Sequence, residues 1–126
     1  FGQCPSIVSF MSKRLLIIYT GGTIGMIQDP LTGILKPFDL DQILNQVPEI
    51  KSFGHALDAV AFEQPIDSSN MRPDIWVKLA QIVAEHEATH QGFVILHGSD
   101  TMAYTASALS FLLEGLNKCV VLTGSQ

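Results

Sequence analysis

Two hydroxyl side chains stand in turns that could do chemistry, and each turn directly follows an apolar run. Thr23 follows the run 15–19, and Ser99 follows the run 92–96 with Asp100 as its neighbour. Short apolar runs that end near glycine are typical of buried parallel strands, and an open parallel sheet binds its ligand beyond the carboxyl ends of its strands. We therefore expect both turns at one crevice. Thr23 and Ser99 are candidate nucleophiles there, and Asp100 is a fixed carboxylate beside the second.

The glycine-rich turn around Thr23 has other interpretations. In an isolated Thr-Gly-Gly-Thr segment the glycines need only allow unusual backbone dihedrals. Glycines after a first strand can also admit a pyrophosphate at a helix start. The sequence argues against nucleotide binding, because it has neither the third glycine of G-x-G-x-x-G, nor an acidic residue that ends a second strand about twenty residues later, nor a Walker motif.

Four segments resemble the motifs of one enzyme family. The segment 20–26 (TGGTIGM) resembles the amino-terminal signature of L-asparaginases, and 96–111 (LHGSDTMAYTASALSF) resembles their second signature in its cytoplasmic, type I form. The segments 67–71 (DSSNM) and 122–126 (LTGSQ) also fit, in the expected order. The chain thus resembles the amino-terminal portion of a type I (cytoplasmic) L-asparaginase from about residue 13 to residue 126.

The resemblance implies a role for each residue of the candidate site. Thr23 would be the primary nucleophile and would carry an acyl-enzyme. Ser99 and Asp100 match the family's Thr-Asp pair, in which the hydroxyl polarises or attacks the amide and the carboxylate binds the substrate's amino group. Ser68 matches the serine that holds the substrate carboxylate, and Asp67 precedes it as expected. Ser99 replaces the usual threonine, so the hydroxyl remains while the methyl group that restricts χ1 is lost.

These residues also have structural interpretations. An aspartate at a helix start, such as Asp100, is commonly a cap, and the segment 67–70 could be an ordinary capping cluster. His97 ends a buried strand, where a hydrogen-bonded structural histidine is more common than a base, so we assign it no catalytic role. The histidines and cysteines form no recognisable metal set, and neither a metal nor a cofactor is expected.

Two parts of the family's machinery have no counterpart. No lysine of the chain falls in the motif of the family lysine that pairs with the Thr-Asp couple. Ile34 and Leu35 follow Gly33 where some relatives have a flap tyrosine. The proton acceptor for Thr23 is therefore unassigned, and the activity of these 126 residues alone is in doubt.

Composition and charge narrow the class of protein. The 126 residues suit one domain, and 47% hydrophobic with 15% charged residues is typical of a globular core. A net charge of −5 offers no footprint for nucleic acid or an anionic membrane, and no apolar stretch nears the ~20 residues of a membrane span. The two cysteines stand in different settings, which favours a reducing cytoplasm over a disulfide. A small-molecule substrate fits, and the resemblance implies a homo-oligomer.

Alternating elements predict an α/β fold. Strands are expected at 15–19, 58–65, 93–96 and 120–122, with helices at 39–47 (capped by Asp39), from Asn70 or Ser69 to about 89–92, and at 100–113. This order predicts a parallel, doubly wound, flavodoxin-like sheet with helices on both faces. The helix after residue 70 should bury the stripe Ile75, Leu79, Ile82 and Val83.

Three further expectations concern the organisation of the chain. The segment 26–37 should form a hairpin or mobile flap that closes over Thr23, since Asp-Pro and Thr-Gly turns join two apolar pieces. Residues 1–12 should be a disordered or extension segment, with the natural start at Met11. Residues 13–126 should form the amino-terminal asparaginase domain, incomplete at its carboxyl end.

The expected reaction is hydrolysis of L-asparagine to L-aspartate and ammonia through the threonine acyl-enzyme. One alternative is an amidohydrolase subunit that supplies ammonia to a tRNA-dependent amidotransferase. Another is a non-catalytic domain that binds asparagine or aspartate through Ser68 and Asp100.

Overall fold

The computed structural model describes residues 13–23, 27–36, 41, 44–45 and 48–124. The predicted extension 1–12 lies outside this range. Four strands form the main sheet: β1 (Arg14–Tyr19), β4 (Ala56–Ala61), β5 (Gly92–Leu96) and β6 (Cys119–Thr123). A separate hairpin pairs β2 (Ile27–Gln28) with β3 (Leu35–Lys36). The helices are α1 (Glu49–Ser52), α2 (Pro73–His86) and α3 (Met102–Leu112), and a 3₁₀ turn covers Ser68–Asn70.

The main sheet is parallel throughout, with β1 between β4 and β5 in the order β4-β1-β5-β6. This is the doubly wound, flavodoxin-like order that the sequence predicts. The helices α2 and α3 pack against each other and against one face of this sheet. The register aligns Tyr19 with Ala61 and with Leu96, and Leu96 with Thr123, so all four strands end at one edge.

The core lies between the sheet and its two long helices. Alternate residues of the central strands, Leu16, Ile18, Phe93 and Ile95, are buried on the face that α2 and α3 cover. Full burial of each such side chain stabilises the fold by about 1.5–3 kcal/mol. The stripe predicted for α2 is confirmed: its members Ile75, Leu79 and Val83 are buried and Ile82 is partly buried. The sheet edge that carries the candidate site is thus held by a packed core.

The start of α2 differs from the prediction. The predicted caps Asn70 and Ser69 are wrong, because α2 begins at Pro73 with Arg72 at its N-cap and no side-chain capping bond. Asp67 instead caps the preceding 3₁₀ turn, since it accepts a hydrogen bond from the backbone N–H of Ser69. The chain between β4 and α2 is therefore held by its own turn.

Two other predicted boundaries also differ from the structure. The strand predicted at 58–65 is Ala56–Ala61, because the chain leaves the ladder after Phe62 and Ile66 N–H bonds to Thr20 O at 2.8 Å. The helix predicted at 39–47 is helical at Asp41, Leu44 and Asn45, and its predicted cap, Asp39, lies outside the described residues.

The predicted hairpin is confirmed. Asp29 N–H bonds to Ile34 O at 2.9 Å, Gly33 N–H bonds to Asp29 O at 2.8 Å, and Gly33 has a φ of +69° that glycine adopts without strain. The ends of the predicted flap, Met26 and Pro37, lie outside the described residues, and its closure over Thr23 stays a prediction.

A polar cluster holds the amino-terminal edge of the sheet, opposite the candidate site. Asp58 Oδ2 accepts hydrogen bonds from Arg14 Nη2 at 2.7 Å and lies 2.8 Å from His90 Nε2. The hydrogen bond with His90, together with the bonds and charge of Arg14, holds the pKa of Asp58 below its ordinary value. The cluster thus favours an ionised Asp58 and links β4 to β1 and to the start of β5.

Asp58→Asn is expected to lower the free energy of unfolding at neutral pH, with a deficit that shrinks on acidification. A carboxylate whose folded pKa is depressed stabilises the fold above its unfolded pKa of about 3.9, and this contribution is lost as pH falls through the folded pKa. Denaturant unfolding of parent and variant between pH 3 and pH 7 measures the deficit.

The matched control for Asp58 is Asp74→Asn. Asp74 pairs with Arg72 at 3.1 Å, and both side chains are exposed. Exposed pairs contribute little, so this variant should stay within about 0.5 kcal/mol of the parent at every pH. An Asp58→Asn deficit that is equal at pH 3 and pH 7 contradicts the role given to Asp58.

Candidate active site

The turn that carries Thr23 is tied to the end of β5. The backbone N–H of Thr20 and its hydroxyl both donate to Leu96 O, at 3.1 and 2.9 Å. Gly22 has a φ of +86°, a conformation that favours glycine. Thr23 follows in a short 3₁₀ segment and is exposed. The first candidate nucleophile is therefore accessible on a turn whose base is fixed.

The side chain of Tyr19 is hydrogen-bonded to the same turn. Its side chain is buried, and its hydroxyl donates to Gly22 O at 3.1 Å. Burial raises the pKa of the Tyr19 phenol, so it stays neutral and keeps this donor at physiological pH. In the sequence, Tyr19 is marked only as the last residue of a strand.

The second turn joins β5 to α3 and carries Ser99 and Asp100. His97 N–H donates to Thr123 O at 2.9 Å, which ties the start of the turn to β6. Ser99 is partly buried and Asp100 is exposed. Because α3 begins at Met102 with Thr101 at its N-cap, Asp100 precedes the cap position. Helix capping therefore does not account for the carboxylate at position 100.

The third segment is the turn that carries Asp67 and Ser68. Asp67 Oδ1 accepts hydrogen bonds from Ser69 N–H at 2.9 Å and from the Ser69 hydroxyl at 2.8 Å. These two bonds, the backbone one first, lower the pKa of Asp67. Ser68 is buried, and its carbonyl accepts from the Thr101 hydroxyl at 2.7 Å. The capping interpretation of Asp67 is confirmed, and its second carboxylate oxygen takes no part in these two bonds.

The three turns are in backbone contact, and glycine makes that contact possible. A Cβ on Gly98 would lie 2.5 Å from Ser68 Oγ, and a Cβ on Gly22 would lie 3.0 Å from the Cα of Gly98. A Cβ on Gly21 would overlap the carbonyl oxygen of Ile66. The structure thus brings the turns of Thr23, Ser68 and Ser99 together at one edge of the sheet, as the sequence predicts, while their chemical roles stay predictions.

An open groove of about 840 Å³ runs beside this edge, between the exit of β4 and the start of α2. Asp67 and Ser69 line it, whereas Thr23, Ser99 and Asp100 do not. The groove and the hydroxyl-bearing turns are therefore neighbours that share the Asp67 segment. Within the described part of the chain, no group of three or more His, Cys, Asp or Glu side chains could hold a metal ion.

A buried hydrogen-bonded chain lies behind the second turn. Trp76 Nε1 donates to Thr105 Oγ1 at 2.9 Å, and Thr105 Oγ1 lies 2.9 Å from His97 Nε2. The other ring nitrogen, His97 Nδ1, lies 2.6 Å from Gly98 O. The prediction that His97 is a buried, hydrogen-bonded residue is confirmed. Trp76 and Thr105 could not be predicted as partners, because two residues on separate helices give no sequence signal of their contact.

The arrangement has several of the parts that acyl transfer needs. Two hydroxyl side chains, an exposed carboxylate and backbone N–H groups stand on turns that are fixed against one another. Such a set can supply a nucleophile, a second polarising hydroxyl and an anchor for a cationic group.

No helix in the described portion of the chain is long and apolar enough to span a membrane.

Comparison with known proteins agrees with this geometry. Residues 14–126 match the family model described as "Asparaginase, N-terminal". The chain is 44% identical to L-asparaginase 1 of Escherichia coli K12 over 115 residues, which are 90% of this chain and 34% of that protein. The crystal structure of L-asparaginase I from Vibrio cholerae superposes with a TM-score of 0.79 at 41% identity and covers 91% of this chain and 34% of that one.

Two further relatives carry other names. The chain is 41% identical to the 60 kDa lysophospholipase of Mus musculus, over 90% of this chain and 24% of that protein. It is 43% identical to a glutamyl-tRNA(Gln) amidotransferase subunit of Methanopyrus kandleri, over 87% of this chain and 24% of that protein. The chain spans about a third or less of the length of these relatives. On the match over residues 14–126, it belongs to the asparaginase family and carries the family's amino-terminal domain.

Proposed function

We propose that the full-length protein is a type I L-asparaginase that hydrolyses the side-chain amide of L-asparagine to L-aspartate and ammonia. The observation that carries this proposal is the contact between Gly22 and Gly98, which places Thr23 and Ser99 on adjacent turns. Two hydroxyls on touching turns can act on one amide carbon, one as nucleophile and one as hydrogen-bond donor.

In the proposed reaction Thr23 Oγ attacks the amide carbon, and its proton is passed to the departing nitrogen. The C–N bond then breaks, ammonia leaves, and the acyl group remains on Thr23 as an ester. Water attacks this ester, which releases L-aspartate and returns the proton to Thr23. The hydroxyl of Ser99 donates to the carbonyl oxygen while negative charge develops on it.

The charges around the edge suit the ends of an amino acid. Asp100 is exposed beside Ser99, and its carboxylate is the proposed partner of the substrate's α-ammonium group. Ser68 is the proposed partner of the α-carboxylate. Asp67, whose pKa is lowered by its bonds with Ser69, is a further proposed substrate contact on the same turn as Ser68. No step of this scheme requires a metal or an organic cofactor.

We also propose that the full-length protein is a cytoplasmic homo-oligomer, and that it acts on a small molecule and not on nucleic acid or a membrane. Cys119 is a free, exposed thiol, which suits a reducing compartment.

One second candidate has a specific observation behind it. The similarity to a glutamyl-tRNA(Gln) amidotransferase component of M. kandleri would equally fit a protein that releases ammonia for use on a charged tRNA. The net charge of −5 favours the free amino acid as substrate, because a tRNA partner usually meets a basic surface.

The test is ammonia release by the purified full-length protein from L-asparagine, L-glutamine and L-aspartate, with and without total tRNA. Turnover of L-asparagine that does not depend on tRNA is the expected result. Turnover only with aminoacylated tRNA supports the amidotransferase role. Calorimetric binding of L-asparagine without any ammonia release indicates the non-catalytic binding domain.

A further inference from the structure

The hydrogen-bonded chain from Trp76 to Gly98 has a direction that the chemistry of its members determines. The indole N–H of Trp76 can only donate, so Thr105 Oγ1 accepts that bond at 2.9 Å. The carbonyl oxygen of Gly98 can only accept, so the ring nitrogen 2.6 Å away, His97 Nδ1, carries a proton. The bond between His97 and Gly98 is therefore an N–H···O=C bond.

The same reasoning assigns the other ring nitrogen. His97 is fully buried, and Thr105 Oγ1, which already accepts from Trp76, is the only partner that the described residues give to Nε2. With the proton on Nδ1, a neutral ring leaves Nε2 as an acceptor, and the Thr105 hydroxyl donates to it. The bonds thus run Trp76 to Thr105 to His97 to Gly98, and each donor meets one acceptor.

The last bond of this chain acts on the peptide group that precedes Ser99. Because a peptide group is planar, fixing the Gly98 carbonyl also fixes the direction of the Ser99 N–H. Gly98 must be glycine, since a Cβ there would lie 2.5 Å from Ser68 Oγ, and glycine leaves the adjoining dihedrals loose. Ser99 adds to this freedom, because serine lacks the methyl group that restricts χ1. The backbone at this point needs an external anchor, and His97 supplies it.

We propose that His97 is a positioning residue for the reaction: its Nδ1–H, oriented by Thr105 and Trp76, holds the Gly98–Ser99 peptide so that Ser99 Oγ meets the substrate amide. This inference rests on the proposed function of Ser99. His97 touches neither the substrate nor the nucleophile and transfers no proton.

Two substitutions of His97 separate its ring nitrogens. In His97→Asn the side-chain amide nitrogen takes the place of Nδ1 and can still donate to Gly98 O. In His97→Gln the amide group takes the place of Nε2, so the contact with Thr105 survives while the bond to Gly98 is lost. We expect His97→Asn to keep kcat for L-asparagine within about fivefold of the parent, and His97→Gln to lower kcat by about 10- to 100-fold with a much smaller change in KM.

The matched control is His86→Gln. His86 lies on α2, and its Nδ1 is 2.7 Å from Ile82 O, a bond of the same kind far from the turn. This variant should lower the melting temperature without changing kcat. If both His97 variants lower the melting temperature alike and neither changes kcat more than His86→Gln, then His97 is only a structural residue and the proposal is wrong.

Substitution of Thr105 tests the orienting end of the chain. Thr105→Val keeps the shape but removes the hydroxyl that donates to Nε2, whereas Thr105→Ser keeps it. Thr105→Val should have a lower kcat than the parent, and Thr105→Ser should have a kcat close to that of the parent.

The tautomer of His97 can be measured directly. In ¹⁵N-histidine spectra of the full-length parent, His97 should show a protonated Nδ1 and an unprotonated Nε2. The opposite tautomer, with no proton on Nδ1, overturns the proposal.

The spectra and the kinetics test different claims: the spectra test the tautomer of His97, and ammonia release tests the proposed function. If the parent releases no ammonia from L-asparagine, the proposed function fails, and the tautomer of His97 is still read from the spectra. In that case the affinity of the two His97 variants for L-asparagine replaces kcat: a weaker affinity in His97→Gln than in His97→Asn supports the positioning role, and equal affinities overturn it.

Discussion

Thr23→Ala is expected to lower kcat for L-asparagine hydrolysis by roughly 10³- to 10⁶-fold, as removal of a covalent nucleophile commonly does. Alanine removes the attacking oxygen and leaves the proposed anchors Ser68 and Asp100 in place. Thr23 is exposed and the base of its turn is held by Thr20, so the fold should tolerate the change. Ammonia release gives kcat, and calorimetric titration with L-aspartate should give an affinity close to that of the parent.

The control for this prediction is Thr23→Ser, which keeps a hydroxyl at the same position. It should retain measurable turnover and acyl-enzyme formation, detected by mass spectrometry after rapid acid quenching. If Thr23→Ala turns over L-asparagine at the parental rate, Ser99 becomes the candidate nucleophile, and the acyl group should then be found on Ser99.

Ser99→Ala and Ser99→Thr are expected to diverge. The alanine variant loses the hydroxyl that donates to the amide oxygen, and we expect kcat to fall by at least about 10²- to 10³-fold, the usual effect of removing one such donor. The threonine variant restores the methyl group that restricts χ1, so its kcat should equal or exceed that of the parent. Steady-state kinetics on L-asparagine compares the two.

Ser107→Ala is the matched control for the serine substitutions. Ser107 lies exposed on α3, and its hydroxyl donates to Ala103 O at 2.9 Å, away from the candidate site. Its kcat should match the parent. Parental turnover in Ser99→Ala would show that Ser99 is only a turn residue.

Much of the fold could be predicted because the strands are apolar runs that end in polar turns. The central strand, predicted at 15–19, is Arg14–Tyr19, and the third, predicted at 93–96, is Gly92–Leu96. The second strand was placed too late in the chain, because Phe62 continues its apolar pattern after the ladder has ended. There the backbone bond between Ile66 and Thr20, which no local pattern reveals, sets the path of the chain.

The candidate site could be predicted only in part. The turns of Thr23 and Ser99 follow neighbouring strands, so strand order alone brings them to one edge. Their direct contact depends on Gly22 and Gly98. Only the three-dimensional structure shows that a side chain at either position would be too close to neighbouring atoms. The hydrogen bond from Trp76 to Thr105 could not be predicted from the sequence either, because it depends on how α2 and α3 pack against each other.

The central position of β1 has a consequence for the order in which the protein forms during synthesis. The hydrogen bond from the Thr20 hydroxyl to Leu96 O joins residues 76 positions apart. At about 5–20 residues per second a ribosome needs about 4 to 15 s to make that stretch, and contacts of such high sequence separation are slow to form. Until β4 and β5 emerge, β1 presents two unpaired apolar edges that can pair with other chains. The strand that leads into the Thr23 turn is therefore exposed to aggregation in the nascent chain, and a chaperone that binds short apolar segments should be found on 15–19 in ribosome-bound chains that end before residue 96.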